Sequence, residues 1–378
     1  MNEQNAKRLK RLLITCGGTG GHFYPGLSIA RTFQQQGGEV KLLLGGKNVI
    51  AQKAIAESYG IEVFPLPLME SPRNLRTLPN FFKGICRGTI ISAKCIKTFQ
   101  PDAILGMGSF ASLPPLLAAK LRNIPLFLHD GNAKIGKANR LFSFFSLHLG
   151  SAFPPVNAAA IHCRQSVVGM PIRPELLGNI PTKAEAIAEL NSLYRGNLQE
   201  DLPTILIFGG SQGAKTLNEN IPEGLCKCQG RFQVLHLAGK TMADSVHSYY
   251  AQRGIPAVAI AASERMELFY AAADLVFSRS GGSSVAELLY FGKYAILIPY
   301  PYASELHQNA NAAYMASLNA ATVVENADCT PEFVHAMVMK FLANPEQLRQ
   351  QGQNGRSGAA PYASETELNV IEQALQQL

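Results

Sequence analysis

The chain has 378 residues, 47% of them hydrophobic and 16% charged, with a formal net charge of +7. Domains run to ~100–200 residues, so this length asks for two, and the apolar share excludes a disordered polymer. No apolar run reaches the ~18 residues that a membrane-crossing helix needs, and the basic start (Lys7, Arg8, Lys10, Arg11) meets Cys16 and a glycine cluster too soon to be a signal peptide.

The seven cysteines are odd in number and scattered, and Cys226-Lys227-Cys228 is too tight for a zinc pair, so reduced thiols and a cytoplasmic setting are expected. Charge is unevenly divided. The first 173 residues hold 21 Lys and Arg against 7 Asp and Glu, a surplus of +14, and the remainder holds 13 against 20, or −7. The first half therefore asks for an anionic partner, with nucleic acid and an anionic membrane surface as the candidates.

Apolar runs at 12–15, 40–44, 63–66, 103–105 and 126–128 predict buried parallel strands, each followed by a loop and a helix-period segment. The first run leads into Gly17-Gly18-Thr19-Gly20-Gly21-His22, where a strand would turn into a helix. Glycines let backbone N–H groups approach a ligand, a helix start favours negative charge, and a histidine there can exchange protons near neutral pH. A tight turn would explain the glycines alone. From 78 to 99 a helix is expected, with Phe82, Ile85, Ala93 and Ile96 along one face, Lys83, Arg87, Lys94 and Lys97 along another, and Phe81, Ile90 and Ile91 adding bulk. Such a helix suits an anionic membrane surface, though one covering a sheet with a solvated basic face would read the same way. The fourth strand run ends in Gly106-Met107-Gly108-Ser109, a second glycine loop.

The pattern breaks at 168–174, where Pro171 and Pro174 forbid a continuous helix, and restarts after Pro203 with strand runs at 204–208, 233–237, 257–260, 275–278 and 294–298. Two of these end in further glycine loops, Gly209-Gly210-Ser211-Gln212-Gly213 and Arg279-Ser280-Gly281-Gly282-Ser283-Ser284, suited to a diphosphate. One such loop is an ordinary turn. Four at strand ends point to a ligand, because open α/β sheets bind there. Glu287 follows early in a helix, able to accept from ribose hydroxyls, and the polar cluster at His307, Gln308, Asn309 and Asn311 could meet sugar hydroxyls. The layout is α/β and doubly wound, twice over.

In this order the motifs resemble the MurG-type glycosyltransferases, which add N-acetylglucosamine to lipid I in peptidoglycan synthesis. They are GGTGGH at 17–22, GMGS at 106–109, HDGN at 129–132, VGMPIR at 168–173, GGSQGA at 209–214, RSGGSSVAE at 279–287 and HQNAN at 307–311. The resemblance implies a GT-B fold, two Rossmann-like domains with parallel sheets facing across a cleft, and a C-terminal helix returning to the first domain. On that basis 1–170 is the acceptor-binding, membrane-associating domain, 171–355 the UDP-sugar domain and 356–378 the returning helix. The same resemblance implies His22 as catalytic base. It also assigns Thr19, Gly20, Gly21, His22, Asn132, Arg173, Ser211, Gln212, Met266, Gly282, Ser283, Ser284, Glu287, His307 and Gln308 to the donor UDP-N-acetylglucosamine. Gly106, Gly108 and Ser109 fall to the diphosphate of the lipid acceptor, and Phe81, Phe82, Lys83, Ile85 and Arg87 to a membrane-docking patch. The expected setting is the cytoplasmic face of the bacterial cell membrane, held peripherally, with cell-wall synthesis enzymes as further partners and without nucleic acid, cofactor or metal. One departure stands out. Where the family usually has HEQN, this chain has His129-Asp130-Gly131-Asn132.

Three other readings fit less of the chain. A same-fold glycosyltransferase could serve another lipid acceptor, a sugar epimerase would need acidic residues flanking the sugar, and a non-catalytic UDP-sugar sensor would not need His22. An NAD oxidoreductase would need the G-x-G-x-x-G spacing that the first loop lacks.

Overall fold

The computed structural model describes residues 8–69, 78–210 and 214–378. It divides into two compact units, one running to Arg173 and including Ala360–Leu378, the other spanning Pro174–Ala359.

In the first unit, strands β1 (Arg11–Gly17), β2 (Glu39–Gly45), β3 (Glu62–Pro65), β4 (Ala103–Gly106), β5 (Leu126–Asp130), β6 (His148–Ser151) and β7 (Arg164–Val167) form one parallel sheet in the order 3-2-1-4-5-6-7. Between them run α1 (Gly20–Gln35), α2 (Val49–Ser58), α3 (Leu78–Phe99), α4 (Leu113–Leu121) and α5 (Lys137–Phe142). Strand side chains alternate between two apolar layers, which is why these strands are apolar throughout. Leu12, Ile14 and Cys16 face a core with Phe23, Leu27 and Phe33 of α1. Leu13 faces the opposite core with Leu116 of α4 and Ile96 of α3.

The second unit holds α6 (Lys183–Tyr194), α7 (Lys215–Cys226), α8 (Ala243–Ala251), α9 (Met266–Ala272), α10 (Gly282–Tyr290), α11 (His307–Ser317), α12 (Pro331–Ala343) and α13 (Pro345–Asn354). Its strands are β8 (Thr204–Phe208), β9 (Gln233–Leu237), β10 (Ala257–Ile260), β11 (Leu275–Ser278), β12 (Ala295–Leu297) and β13 (Ala321–Val323), parallel and ordered 10-9-8-11-12-13. Both sheets reverse strand order once, between β1 and β4 and between β8 and β11. A doubly wound sheet presents its ligand crevice at the carboxyl ends of those strands. The four glycine loops leave those four strand ends.

The last helix, α14 (Ala363–Gln376), belongs to the first unit and packs on α1 through Leu368, Ile371 and Leu375. Beneath it, Glu367 meets His129 Nδ1 at 2.9 Å, with both side chains buried. Gly150 leaves the room for that carboxylate, since a Cβ there would stand 2.2 Å from Glu367 Oε2.

Helix α3 corrects one expectation. Its span agrees with the sequence pattern, but Phe82, Ile85, Ala93 and Ile96 do not share one environment: Phe82 is exposed, Ile85 and Ala93 are half-buried and Ile96 is buried. The buried stripe runs instead through Gly84, Gly88, Ser92 and Cys95, spaced for close packing, and Gly88 lies against Pro114 of α4. Small residues let the two helices approach, which leaves bulk and charge for the outer face. Phe82, Lys83, Arg87, Ile90 and Lys94 are exposed together, with Phe81 half-buried beside them.

Candidate active site

In the first unit the chain leaves β1 through Gly17 (φ +120°) and Gly18 (φ +82°), a backbone course that side chains rarely adopt. A Cβ on Gly17 would also stand 2.2 Å from the Gly45 carbonyl oxygen, which accepts from the Gly18 N–H at 2.7 Å. Thr19 then opens α1 with its carbonyl, and no side chain caps the helix N-terminus. That end is a place for negative charge.

The half-buried His22 sits in the first turn of α1, and its Nδ1 lies 2.8 Å from the Met107 carbonyl. A carbonyl can only accept, so Nδ1 carries a proton, and in the neutral form of the ring the lone pair is at Nε2. Met107 is itself fixed, its N–H donating to Thr15 O at 2.9 Å. The second glycine loop thereby sets the tautomer of the histidine in the first. Gly108 (φ +85°) lies under the ring, where a Cβ would come within 3.4 Å of His22 Cε1 and of Asn139 Nδ2. Ser109 takes φ +65°, rare for a side-chain-bearing residue, and its Oγ accepts from the Ala111 N–H at 3.1 Å. Backbone strain of this kind concentrates at functional sites.

Asp130, at the end of β5 and buried, organises the next loop. Its Oδ1 accepts from Asn132 N (3.1 Å) and Asn132 Nδ2 (3.3 Å), and its Oδ2 from Gly136 N (2.9 Å) and Asn139 Nδ2 (3.0 Å). Asn139 also donates to the His129 carbonyl at 2.9 Å. At Gly131 a Cβ would press on Met170 Cε at 2.9 Å, so Met170 occupies the space that a larger residue would need. Arg173 holds its guanidinium 5.4 Å from the ring of Tyr24 on α1. Thr19, Gly20, Gly21, His22, Gly106, Gly108, Ser109, Asn132 and Arg173 thus lie along the carboxyl end of one sheet.

In the second unit, the β8 loop turns at Gly210 (φ +83°), while Ser211 and Gln212 lie outside the described residues. The β11 loop runs into α10, whose nine residues start at Gly282 with no side-chain cap, leaving the N–H groups around Ser283 and Ser284 turned out. Glu287 sits in the second turn of that helix, where its Oε2 accepts from the hydroxyl of the buried Tyr270 at 2.7 Å. Gln308 Oε1 accepts from Tyr300 N at 2.8 Å, so its amide NH2 is the end that can donate to a ligand. His307 opens α11 beside it. Ser280 ties this helix to the β11 loop, donating to Gln308 O at 2.8 Å and accepting at its carbonyl from Asn311 Nδ2 at 3.0 Å. Met266 is the buried first residue of α9, the helix that also carries Tyr270.

Asn139 and Tyr270 lie outside every motif of the sequence, and Met107, Asp130, Arg279 and Ser280 lie within motifs that assign them no role of their own. Arg279 is only 8% exposed, and its Nη1 donates to Ile298 O (3.0 Å) and Pro299 O (3.1 Å). Burial pulls its pKa below the ordinary guanidinium range. It fixes the turn that carries Tyr300 and, through Tyr300, Gln308.

The sequence model of the glycosyltransferase family 28 N-terminal domain matches residues 12–149, and that of the family's C-terminal domain residues 204–366. A UDP-N-acetylglucosamine–N-acetylmuramyl-(pentapeptide) pyrophosphoryl-undecaprenol N-acetylglucosamine transferase of Halothermothrix orenii is 32% identical, over 96% of this chain and 98% of its own. The protein of the same name from Shewanella denitrificans is 35% identical, over 92% and 93%. The crystal structure of Acinetobacter baumannii MurG aligns with a TM-score of 0.77 at 27% identity, covering 96% of this chain and 99% of its own. Matched in both halves and along nearly its full length, the chain belongs to glycosyltransferase family 28, as a MurG-type glycosyltransferase.

Proposed function

We propose that the protein transfers N-acetylglucosamine from UDP-N-acetylglucosamine to the 4-hydroxyl of the muramoyl sugar of lipid I, the undecaprenyl-diphosphate-linked muramoyl peptide, forming lipid II with inversion at the anomeric carbon. The names of the relatives supply donor and acceptor. The residues support the following chemistry. The acceptor oxygen attacks the anomeric carbon, its proton passes to His22 Nε2, and the bond from that carbon to the diphosphate breaks with its electron pair going to UDP. The N-terminus of α10 and the Gly210 loop meet the growing negative charge of the leaving group. Glu287, oriented by Tyr270, takes the ribose, and the Gln308 amide takes the sugar or its linkage to phosphate. Gly106, Gly108 and Ser109 take the acceptor diphosphate.

The observation that carries this reading is the hydrogen bond from His22 Nδ1 to Met107 O, which leaves the basic nitrogen at Nε2. His22→Ala should lower turnover by ~10²–10⁴-fold, the contribution of a positioned general base, while UDP-N-acetylglucosamine binding stays nearly intact. Undiminished turnover would refute the assignment.

No helix among the described residues is long and apolar enough to cross a membrane. The exposed face of α3, with Phe82 and Ile90 among Lys83, Arg87 and Lys94, supports docking on an anionic membrane surface, where the lipid acceptor resides.

A further inference from the structure

We infer that a pocket beside the second glycine loop receives the first isoprene unit of the acceptor's lipid chain. The inference rests on the reading of Gly106, Gly108 and Ser109 as the diphosphate loop. The pocket has a volume of about 180 Å³ and lies wholly within the first unit. Leu66, Pro67, Met69, Phe110 and Ala111 supply its apolar wall, and Gly18 and Ser109 of the two glycine loops close its inner side. At the ~30 Å³ that a water-sized group occupies, it takes about six such groups, which suits the five carbons of one isoprene unit.

Two features select an isoprene over a sugar. Among the residues that line the pocket only Ser109 carries a side-chain oxygen, so the several hydroxyls of a sugar entering here would meet mainly carbon. Burying a hydroxyl without a partner is unfavourable, whereas a branched hydrocarbon gains from the same surface. The second feature is order. Gly108 has His22 against one side, and Ser109 and Phe110, next along the chain, face the pocket. The acceptor has the same order, with its sugar on one phosphate and its first isoprene on the other. A diphosphate on this loop with its sugar toward His22 therefore directs the lipid into the pocket. Phe110, 43% exposed, then contacts Phe81 edge-on at 6.3 Å, and Phe81 contacts Phe82 at 5.9 Å, so later units would leave along α3.

The test compares two water-soluble acceptors with the same sugar, peptide and diphosphate, one ending in a geranyl group and the other in a methyl group. The ratio of their kcat/KM values is measured for the wild type, for Phe110→Ala and for Ala111→Leu, with circular dichroism of each variant as the check on folding. The wild type should favour the geranyl acceptor by about tenfold or more, the scale on which apolar pockets discriminate. Stripping the wall or filling the pocket should erase most of that preference and leave the methyl acceptor's kcat/KM nearly unchanged. Phe110→Ala, a surface truncation, decides alone if Ala111→Leu misfolds. Transfer to both acceptors with the same ratio in wild type and variants overturns the pocket and leaves the proposed function standing. No transfer to either acceptor, by folded protein that binds UDP-N-acetylglucosamine, overturns the acceptor reading and this inference with it.

Discussion

Replacing Asp130 with Asn changes one oxygen to NH2 in the group that holds the 130–139 loop together. Asp130 is 4% exposed and accepts four hydrogen bonds, two at each oxygen. Asn can keep one pair, but the other pair would then face its NH2, donor against donor. Either Gly136 N and Asn139 Nδ2 or the two donors of Asn132 lose their acceptor. Each donor left unmatched costs about 1–3 kcal/mol when buried, and since Asn132 and Gly136 are half-buried the low half of that range applies, so the variant should lose about 3 kcal/mol. For a unit of this size that lowers the melting transition by roughly 6–12 °C. The kinetic consequence runs through Asn139, which sits beside Gly108 under the His22 ring. Loosening it should reduce kcat about tenfold or more, since small misplacements of a catalytic group are expensive. Binding of UDP itself should hold, because Glu287 and the α10 N-terminus, which take its ribose and diphosphate, are untouched. Differential scanning calorimetry with steady-state kinetics on the same preparation reads both effects. A melting point within 1–2 °C of wild type, a shift worth under ~1 kcal/mol, together with wild-type kcat, would refute the reasoning.

Three other outcomes follow from the same contacts. His236 is fully buried, its Nδ1 3.0 Å from the Tyr250 hydroxyl and its Nε2 3.0 Å from Asn218 Oδ1, and burial pushes its pKa down to about 3. Between the unfolded value of ~6.5 and about 3, only the unfolded chain takes up this proton, so stability is complete above pH 6.5 and falls by ~1.4 kcal/mol per pH unit below it. Urea melts at several pH values should show a slope difference of that size between wild type and His236→Gln, and equal slopes would contradict the assignment. Glu367→Ala leaves the buried His129 Nδ1 without its hydrogen-bond partner, at a cost of about 1–3 kcal/mol, and should make α14 the first target of limited proteolysis; unchanged cleavage would argue against its anchoring role. Reversing the charge of Lys83, Arg87 and Lys94 should weaken binding to liposomes containing anionic lipid, and undiminished binding would remove α3 from the membrane contact.

The strands easiest to read in the sequence were those buried on both faces, such as β1 and β8, whose apolar runs have no competing explanation. Those missed are short or at an edge. β7, Arg-Gln-Ser-Val, is largely exposed, β6 carries His148 and Gly150, and β13 has three residues. The span of α3 was legible but its buried face was not, because glycine and serine carry no hydropathy signal for close helix packing. The glycine loops announced themselves as strand-to-helix turns rich in glycine. What holds them in place did not, because the contacts are distant in sequence: Met107 with His22, Tyr270 with Glu287, Glu367 with His129. Asp130 illustrates the difference. As a motif letter it marked a departure from the family, whereas its four hydrogen bonds make it the centre of the loop.

The central claim is tested most directly by incubating the purified protein with UDP-N-acetylglucosamine and a short-chain lipid I analogue, then reading the product linkage by NMR. A β-1,4-linked disaccharide, formed by the wild type and not by His22→Ala, is the predicted result. An α-linked product, or no transfer by folded protein that binds the donor, would contradict it.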